Sequence, residues 1–177
     1  MKLVPHNFGM VEEEIYRCGT PSPIHYPFLE GLGLRTCIVL SDQVDETLVQ
    51  WLHENRIQTL FPAAAGPDSS GYGALHRGSM TLPEPTVIEL LQVLLDPVNY
   101  PVLVTCTTGR YRTGITLGCL RKLQGWNMTS ILEEYRRFAG VKGRIENEEF
   151  MELFDVDSVT KVLPGGRKPT ILYPALA

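Results

Sequence analysis

Short apolar runs alternate with amphipathic segments along most of the chain, and this alternation constrains the fold more than any other feature. Residues 34–40, 57–61 and 101–105 are short and apolar, which is typical of buried strands. Residues 46–55 and 84–95 have the apolar spacing of helices. Strands that alternate with helices predict an α/β fold with a central, mainly parallel sheet flanked by helices.

The same patterns predict the remaining elements. We expect a weak strand at 13–17 and helices at 26–32, 113–123, 128–138 and 146–154. Ser41-Asp42 has the residue types of an N-cap for the helix at 46–55. The domain is expected to span residues 1–157, with a tail at 158–177.

One long irregular stretch, residues 62–83, is rich in Ala, Gly, Ser and Pro. A loop of about twenty residues inside a compact domain is uncommon and often covers an active site. A surface insertion explains it equally well, so both interpretations remain open.

Charge and cysteine usage exclude several classes of function. The 16 basic and 20 acidic residues give a net charge of −4, which does not attract nucleic acid or an anionic membrane. Four cysteines occur without zinc-like spacing, and no apolar run approaches ~18 residues. The N-terminal residues do not resemble a signal peptide. We therefore expect a cytoplasmic protein with free thiols and with no metal, organic cofactor, membrane or nucleic-acid partner.

The strongest chemical signal is Cys106 followed six positions later by Arg112, between a predicted strand and a predicted helix. Backbone amides that open onto a helix N-terminus bind phosphate, and the same helix end favours a reactive thiolate. An arginine grips two phosphate oxygens at once, which a lysine cannot do. Gly109 and Gly114 allow the backbone to approach the anion. The hydroxyl of Thr113 is placed to donate to the sulfur.

Two other cysteine-loop or phosphate-loop classes fit less well. A rhodanese-like sulfur carrier would have a shorter loop between cysteine and arginine. A Walker loop would need Lys-Ser/Thr after its glycines, and the chain lacks this pair. The pattern therefore favours nucleophilic attack on phosphorus.

Three long stretches of sequence carry a family resemblance: PVLVTCTTGRYRTG, SILEEYRRFAGVKGRIENEEFMELFD and LVPHNFGMVEEEIYRCGTPSP. They resemble the plant and fungal atypical dual-specificity phosphatases of the cysteine-based protein tyrosine phosphatase superfamily, across residues 3–156. That family includes inositol pyrophosphate phosphatases and fungal oxidant-induced cell-cycle arrest proteins. The resemblance implies a sheet of four or five strands. It also implies hydrolysis of a phosphomonoester or phosphoanhydride through a phosphocysteine, with a phosphoprotein or an inositol phosphate as substrate.

The resemblance also implies roles for individual residues. Cys106 matches the nucleophile and Arg112 the phosphate clamp. The residues that line the cradle are Thr107, Thr108, Gly109, Arg110 and Tyr111, and the basic residues that reach a polyanionic substrate are Arg17, Lys142 and Arg144. Glu84 stands where the family has a general acid, although it equally suits the first turn of a helix. Asp68 is the alternative acid.

Departures from the family pattern keep a second function open. Thr105 replaces the histidine that usually precedes the nucleophile, and Arg110-Tyr111 replaces Lys-His. The cradle is then less positive, and the alternative is a catalytically weak or inactive phosphate-binding subunit in a complex with related subunits. Cys18 is either a buried apolar residue or a partner for a regulatory disulfide with Cys106.

Overall fold

A computed structural model describes residues 2–62 and 82–159 of the chain. The strands in these ranges form one five-stranded sheet in the order β1-β2-β5-β3-β4. They are Gly9–Glu12 (β1), Ile15–Gly19 (β2), Thr36–Val39 (β3), Gln58–Leu60 (β4) and Val102–Cys106 (β5). β2, β5, β3 and β4 are parallel, and β1 pairs antiparallel with β2. The predicted α/β class with a mainly parallel sheet is confirmed.

Helices cover both faces of this sheet. They are Tyr26–Glu30 (α1), Glu46–Glu54 (α2), Glu84–Leu95 (α3), Tyr111–Leu123 (α4), Met128–Ala139 (α5) and Ile145–Leu153 (α6). Buried residues of α1 and α2 form one apolar cluster, and those of α3 to α6 form the other. Within the described ranges, no helix has the length and apolarity needed to cross a membrane.

β5 is the central strand, and all five of its residues are buried. Because successive strand residues point to opposite faces, Val102 and Val104 join the cluster of α3 to α6, whereas Leu103 joins that of α1 and α2. Full burial of each such side chain contributes about 1.5–3 kcal/mol relative to exposure. The strand that ends in Cys106 is therefore fixed from both faces.

The edge of the sheet near the N-terminus differs from the prediction. The strand expected at 13–17 begins only at Ile15, because Glu14 adopts a positive φ of 63° in the turn after β1. β1 itself was not predicted, since Gly9-Met10-Val11-Glu12 is short and has no clear alternation. The loop at 62–83, apart from residues 62, 82 and 83, lies outside the described residues, and so does the tail from residue 160 onward.

Helix boundaries also differ from the prediction by one or two residues; α1, for example, ends at Glu30 rather than at residue 32. α4 begins at Tyr111 rather than at residue 113, which brings the helix N-terminus closer to Cys106. The N-cap of α2 is Asp45, whose carboxylate accepts hydrogen bonds from the amides of Thr47 and Leu48. Ser41-Asp42 is therefore not the cap.

Candidate active site

The segment between Cys106 and Arg112, which we call the cysteine loop, joins the end of β5 to the start of α4. The amide of Gly109 donates to the carbonyl of Cys106 at 3.1 Å, which closes a tight turn. Cys106 is 5% exposed, at the point where the strand ends and the positive end of α4 begins. This arrangement favours an anion beside the thiol.

Gly109 is required by the shape of this turn. Its φ is +67°, a conformation that strains any side chain. A Cβ atom at this position would lie 2.5 Å from the amide nitrogen of Gly19 and 2.6 Å from the carbonyl carbon of Cys18. The turn predicted at Gly109 is therefore present, and β2 packs directly against it.

Arg17 supports the cysteine loop from the β2 side. Its Nη2 donates to the carbonyl of Gly109 at 2.8 Å, and its guanidinium lies 3.6 Å from the centroid of the Phe138 ring. Arg17 is 1% exposed, and burial lowers its pKa to about 10, so it remains protonated at neutral pH. The expectation that Arg17 reaches the substrate is revised, because this side chain is enclosed beneath the loop.

Asn7 adds a second contact on the same side. Its Nδ2 donates to the carbonyls of Thr108, at 3.0 Å, and Phe138, at 3.2 Å. The segment before β1 thus ties the cysteine loop to the end of α5.

Arg112 reaches from α4 to the segment that follows β3. Its Nη1 donates to the carbonyl of Leu40 at 2.8 Å, and its Nη1 and Nη2 lie 2.7 and 2.8 Å from Oδ1 and Oδ2 of Asp42. The side chain of Arg112 is 11% exposed and that of Asp42 is 65% exposed. The sequence did not reveal this pair, since only the fold brings residue 42 to the loop.

Hydroxyl groups lie next to this ion pair. The Oγ of Ser41 is 3.4 Å from the Oγ1 atoms of both Thr107 and Thr20. Thr107 is exposed and Thr108 is half-buried. The mouth of the cysteine loop is therefore polar on its β3 side.

Unpaired hydrogen-bonding groups concentrate at the cysteine loop. Seven buried side-chain nitrogen or oxygen atoms in the described residues have no hydrogen-bond partner. Three of them belong to the cysteine loop or the first turn of α4: Nε of Arg110, Nε of Arg112 and Oγ1 of Thr113. Because buried polar groups are nearly always paired, this concentration indicates a site for a ligand rich in acceptor oxygens, such as phosphate.

The predicted basic residues after α5 are only partly brought to the loop. The guanidinium of Arg144 lies 4.8 Å from the centroid of the Tyr111 ring, so Arg144 covers the first residue of α4. Its amide donates to the hydroxyl of Tyr135, at 3.3 Å, which holds this segment against α5. Lys142 is exposed in the short 3-10 helix Gly140–Lys142.

Neither candidate acid is joined to the cysteine loop in the described residues. Glu84 is the exposed first residue of α3 and lines a groove with four α6 residues and Phe154. Asp68 lies outside the described residues. The general acid therefore stays a prediction. In residues 2–62 and 82–159, no group of three or more His, Cys, Asp or Glu side chains is placed to hold a metal ion.

Cys18 and Cys106 lie in neighbouring strands but face opposite sides of the sheet. The Sγ of Cys18 donates to Oγ1 of Thr105 at 3.9 Å, within the cluster of α1 and α2, whereas Cys106 belongs to the other cluster. Burial raises the pKa of Cys18 to about 12. All four cysteines are free and buried. The structure thus favours burial of Cys18 over a disulfide with Cys106, and it places Thr105 on the face away from the nucleophile.

Comparisons with known proteins match this architecture. The model of the tyrosine phosphatase family matches residues 2–164. The probable tyrosine-protein phosphatase of Dictyostelium discoideum is 44% identical over 160 residues, which cover 89% of this chain and 91% of the relative. An inositol diphosphatase of Arabidopsis thaliana is 38% identical over 156 residues, with 88% and 75% covered.

A solved structure gives the same result in three dimensions. The core catalytic domain of the PP-IP phosphatase Siw14 from S. cerevisiae, in complex with citrate, superposes with a TM-score of 0.78. It is 32% identical and covers 90% of this chain and 91% of its own. With the family model matching most of the sequence, the chain belongs to the tyrosine phosphatase family and is a cysteine-based phosphatase of the atypical dual-specificity type.

Proposed function

We propose that this phosphatase removes a phosphate group from a diphosphate-bearing inositol phosphate, through a phosphocysteine on Cys106. The unpaired donors of Arg110 and Arg112 at the cysteine loop are the main support for the proposal, because they match the oxygens of a phosphoryl group. Relatives named as inositol diphosphatases and a PP-IP phosphatase structure support the substrate class.

In the first step, the thiolate of Cys106 attacks phosphorus. An S–P bond forms, the bridging O–P bond breaks, and the leaving group departs with the bonding electrons. Arg112 and the amides of Thr107 to Tyr111 stabilise the charge spread over the three remaining oxygens. The predicted hydrogen bond from the Thr113 hydroxyl to Sγ of Cys106 is not formed in the structure, where this hydroxyl is buried and unpaired among the described residues. In the proposal, the hydroxyl donates to the sulfur during the reaction, to the thiolate or to the sulfur as leaving group.

In the second step, water attacks the phosphocysteine. A P–O bond forms, the S–P bond breaks, the water proton passes to solvent or to the released phosphate, and the thiolate returns. No metal or organic cofactor takes part in either step of the proposal.

A phosphoanhydride substrate depends less on a general acid than an aryl or alkyl ester does. Its leaving group is itself a phosphate, which departs with little help from a proton donor. Glu84 lies in the groove beside α6, and the only carboxylate that contacts the cysteine loop in the described residues is Asp42, which is paired with Arg112. Lys142 and Arg144 follow α5 in the chain, and in the proposal they supply positive charge for the further phosphate groups of the substrate.

The surroundings of the protein follow from the same chemistry. A thiolate nucleophile is kept active in a reducing compartment, so we propose a cytoplasmic enzyme that acts without a nucleic-acid or membrane partner. Assembly with related subunits belongs to the alternative function, a phosphate-binding subunit that does not turn over substrate.

A panel of substrates tests the proposal. It compares an aryl phosphate, phosphotyrosine and phosphoserine peptides, inorganic polyphosphate, inositol hexakisphosphate and an inositol pyrophosphate. We expect the highest kcat/KM with the inositol pyrophosphate and no turnover by Cys106→Ser, whereas Cys37→Ser, on the other face of the sheet, remains active.

Two outcomes contradict the proposal. A higher kcat/KM with the phosphotyrosine peptide assigns a protein substrate instead. Phosphate binding without turnover of any panel member establishes the non-catalytic subunit.

A further inference from the structure

Asp42 lies outside the cysteine loop and α4, and its side chain pairs with the guanidinium of Arg112. We propose that Asp42 is a positioning residue, which fixes the guanidinium of Arg112 so that its Nε–H edge is presented to the transferred phosphoryl group. The inference rests on the proposed role of Arg112 as the clamp. It assigns Asp42 no contact with substrate.

The planar geometry of the guanidinium determines which of its N–H donors remain available to a phosphoryl group. Its five N–H donors point in fixed directions, and it binds an anion with two donors at a time. Asp42 occupies the terminal edge, with Nη1–Oδ1 at 2.7 Å and Nη2–Oδ2 at 2.8 Å, and the Leu40 carbonyl takes another donor of Nη1 at 2.8 Å. Nε is buried and has no partner among the described residues. The edge that remains is therefore the one that includes Nε–H.

The two protein acceptors act together to prevent rotation of the side chain. The Leu40 carbonyl alone fixes one nitrogen, and the guanidinium could still turn about that contact. The carboxylate of Asp42 engages both terminal nitrogens, so the plane of the guanidinium is defined. Both acceptors follow β3, which pairs with β5 from Thr36 to Val39, and the clamp is thus tied to the same sheet as the nucleophile.

Asp42 also has an effect that opposes substrate binding. The negative charge of Asp42 repels an anionic substrate, but its carboxylate is 65% exposed, so water and salt screen this repulsion. The guanidinium that it orients is only 11% exposed. Misplacement of a catalytic contact by about 1 Å costs on the order of 100-fold in rate, so we expect orientation to dominate.

The test uses the full chain and an aryl phosphate as substrate, with orthovanadate as a competing oxyanion. Asp42→Asn is expected to lower kcat/KM by about 10- to 100-fold and to weaken inhibition by vanadate, with an unchanged Tm because the side chain is exposed. Asp42→Glu is expected to restore part of the activity. Glu46→Gln, which removes a nearby exposed carboxylate that has no contact with Arg112, is the control and stays within about twofold of the wild type.

A double-mutant cycle separates positioning from other roles. In an Arg112→Lys background there is no planar guanidinium to orient. Asp42→Asn is therefore expected to lower kcat/KM by less than about twofold further. The pH profile of kcat/KM keeps its shape in Asp42→Asn, since a positioning residue transfers no proton.

Each contrary result overturns the inference. Unchanged or higher kcat/KM in Asp42→Asn means that repulsion outweighs orientation. If Asp42→Asn loses the alkaline limb of the pH profile, Asp42 is a proton donor. If Asp42→Asn lowers kcat/KM as much in the Arg112→Lys background as in the wild type, Asp42 does not act through Arg112. If the wild type hydrolyses no substrate at all, the proposed function fails, and weakened vanadate binding by Asp42→Asn still decides the inference.

Discussion

The cysteine loop is held on one side by β2 and on the other by the segment after β3, and the two supports differ in kind. On the β2 side, Arg17 is 1% exposed and contacts a backbone carbonyl of the loop. On the β3 side, Asp42 is 65% exposed and pairs with the side chain of Arg112. The buried support fixes the shape of the backbone, and the exposed support fixes the direction of one guanidinium.

Substitutions in the two supports are therefore expected to differ: some affect folding and catalysis, and others affect catalysis alone. A change on the β2 side disturbs packed or buried groups, so it lowers both stability and activity. A change on the β3 side alters an exposed contact, which contributes little to stability. The loss of activity relative to the loss of stability is therefore expected to be larger for variants on the β3 side than for variants on the β2 side.

The largest effect is expected for Arg112→Lys, which keeps the charge but loses the planar pair of donors. Loss of an oxyanion contact costs about 100- to 1,000-fold in kcat, and we expect a loss of this size without a large change in Tm. Arg136→Lys is the matched control, because Arg136 makes a paired contact with Glu148 away from the loop. Lys142→Ala should change kcat/KM by only about twofold. Equal losses in Arg112→Lys and Lys142→Ala would show that the clamp is another residue.

Gly109→Ala is expected to have the next largest effect. The new methyl group would meet the backbone of Cys18 and Gly19 at 2.5–2.8 Å, so the loop must move away from β2. We expect kcat/KM to fall by about 100-fold, together with a lower Tm. Gly33→Ala is the matched control, because Gly33 has a similar φ of +61° but no neighbouring atom within 4 Å. Similar activities of the two variants would refute the close approach of β2.

A smaller effect is expected for Arg17→Lys, which retains the charge and removes the contact with the Gly109 carbonyl. We expect a loss of about 1–3 kcal/mol in the free energy of unfolding, measured by urea denaturation, and roughly a tenfold fall in kcat/KM. Arg121→Lys is the control: Arg121 is also buried and lies over the Trp126 ring, but it binds Glu12 and Glu134 away from the loop. It should lose stability and keep activity. An unchanged kcat/KM in Arg17→Lys would mean that the contact from β2 does not determine the conformation of the cysteine loop.

The last prediction concerns alkylation of the thiols, and we expect no reaction at Cys18, Cys37 and Cys119. Burial raises the pKa of Cys18 to about 12 and raises those of Cys37 and Cys119 further, so these thiols stay protonated at pH 8. Iodoacetamide is therefore expected to label Cys106 alone in the native protein, and inorganic phosphate should slow the labelling. Peptide mass spectrometry measures both. Labelling of Cys18 at a rate comparable with that of Cys106 would contradict the burial of the β2 side chains beneath the cysteine loop.

The parts of the site that depend on local sequence were predictable, and those that depend on strand pairing were not. The run from Val102 to Arg112 contains its own strand, turn and helix start, so the pattern of Cys106 and Arg112 identified the loop directly. Asp42 is seventy residues from Arg112, and only the pairing of β3 with β5 brings the two together. The burial of Arg17 likewise requires α5 to cover β2, which no local pattern indicates.

The strand order has a consequence for how the protein is made. In the described residues, β1 pairs with β2 and β3 pairs with β4, and only β5 joins these two halves into one sheet. β5 is also the last of these strands to leave the ribosome. Until then, β2 and β3 each present an open edge, which is prone to wrong pairing. Since β5 ends in Cys106, the step that completes the sheet also brings the nucleophile into its place. Every nascent chain in which the sheet is complete therefore already contains this thiol.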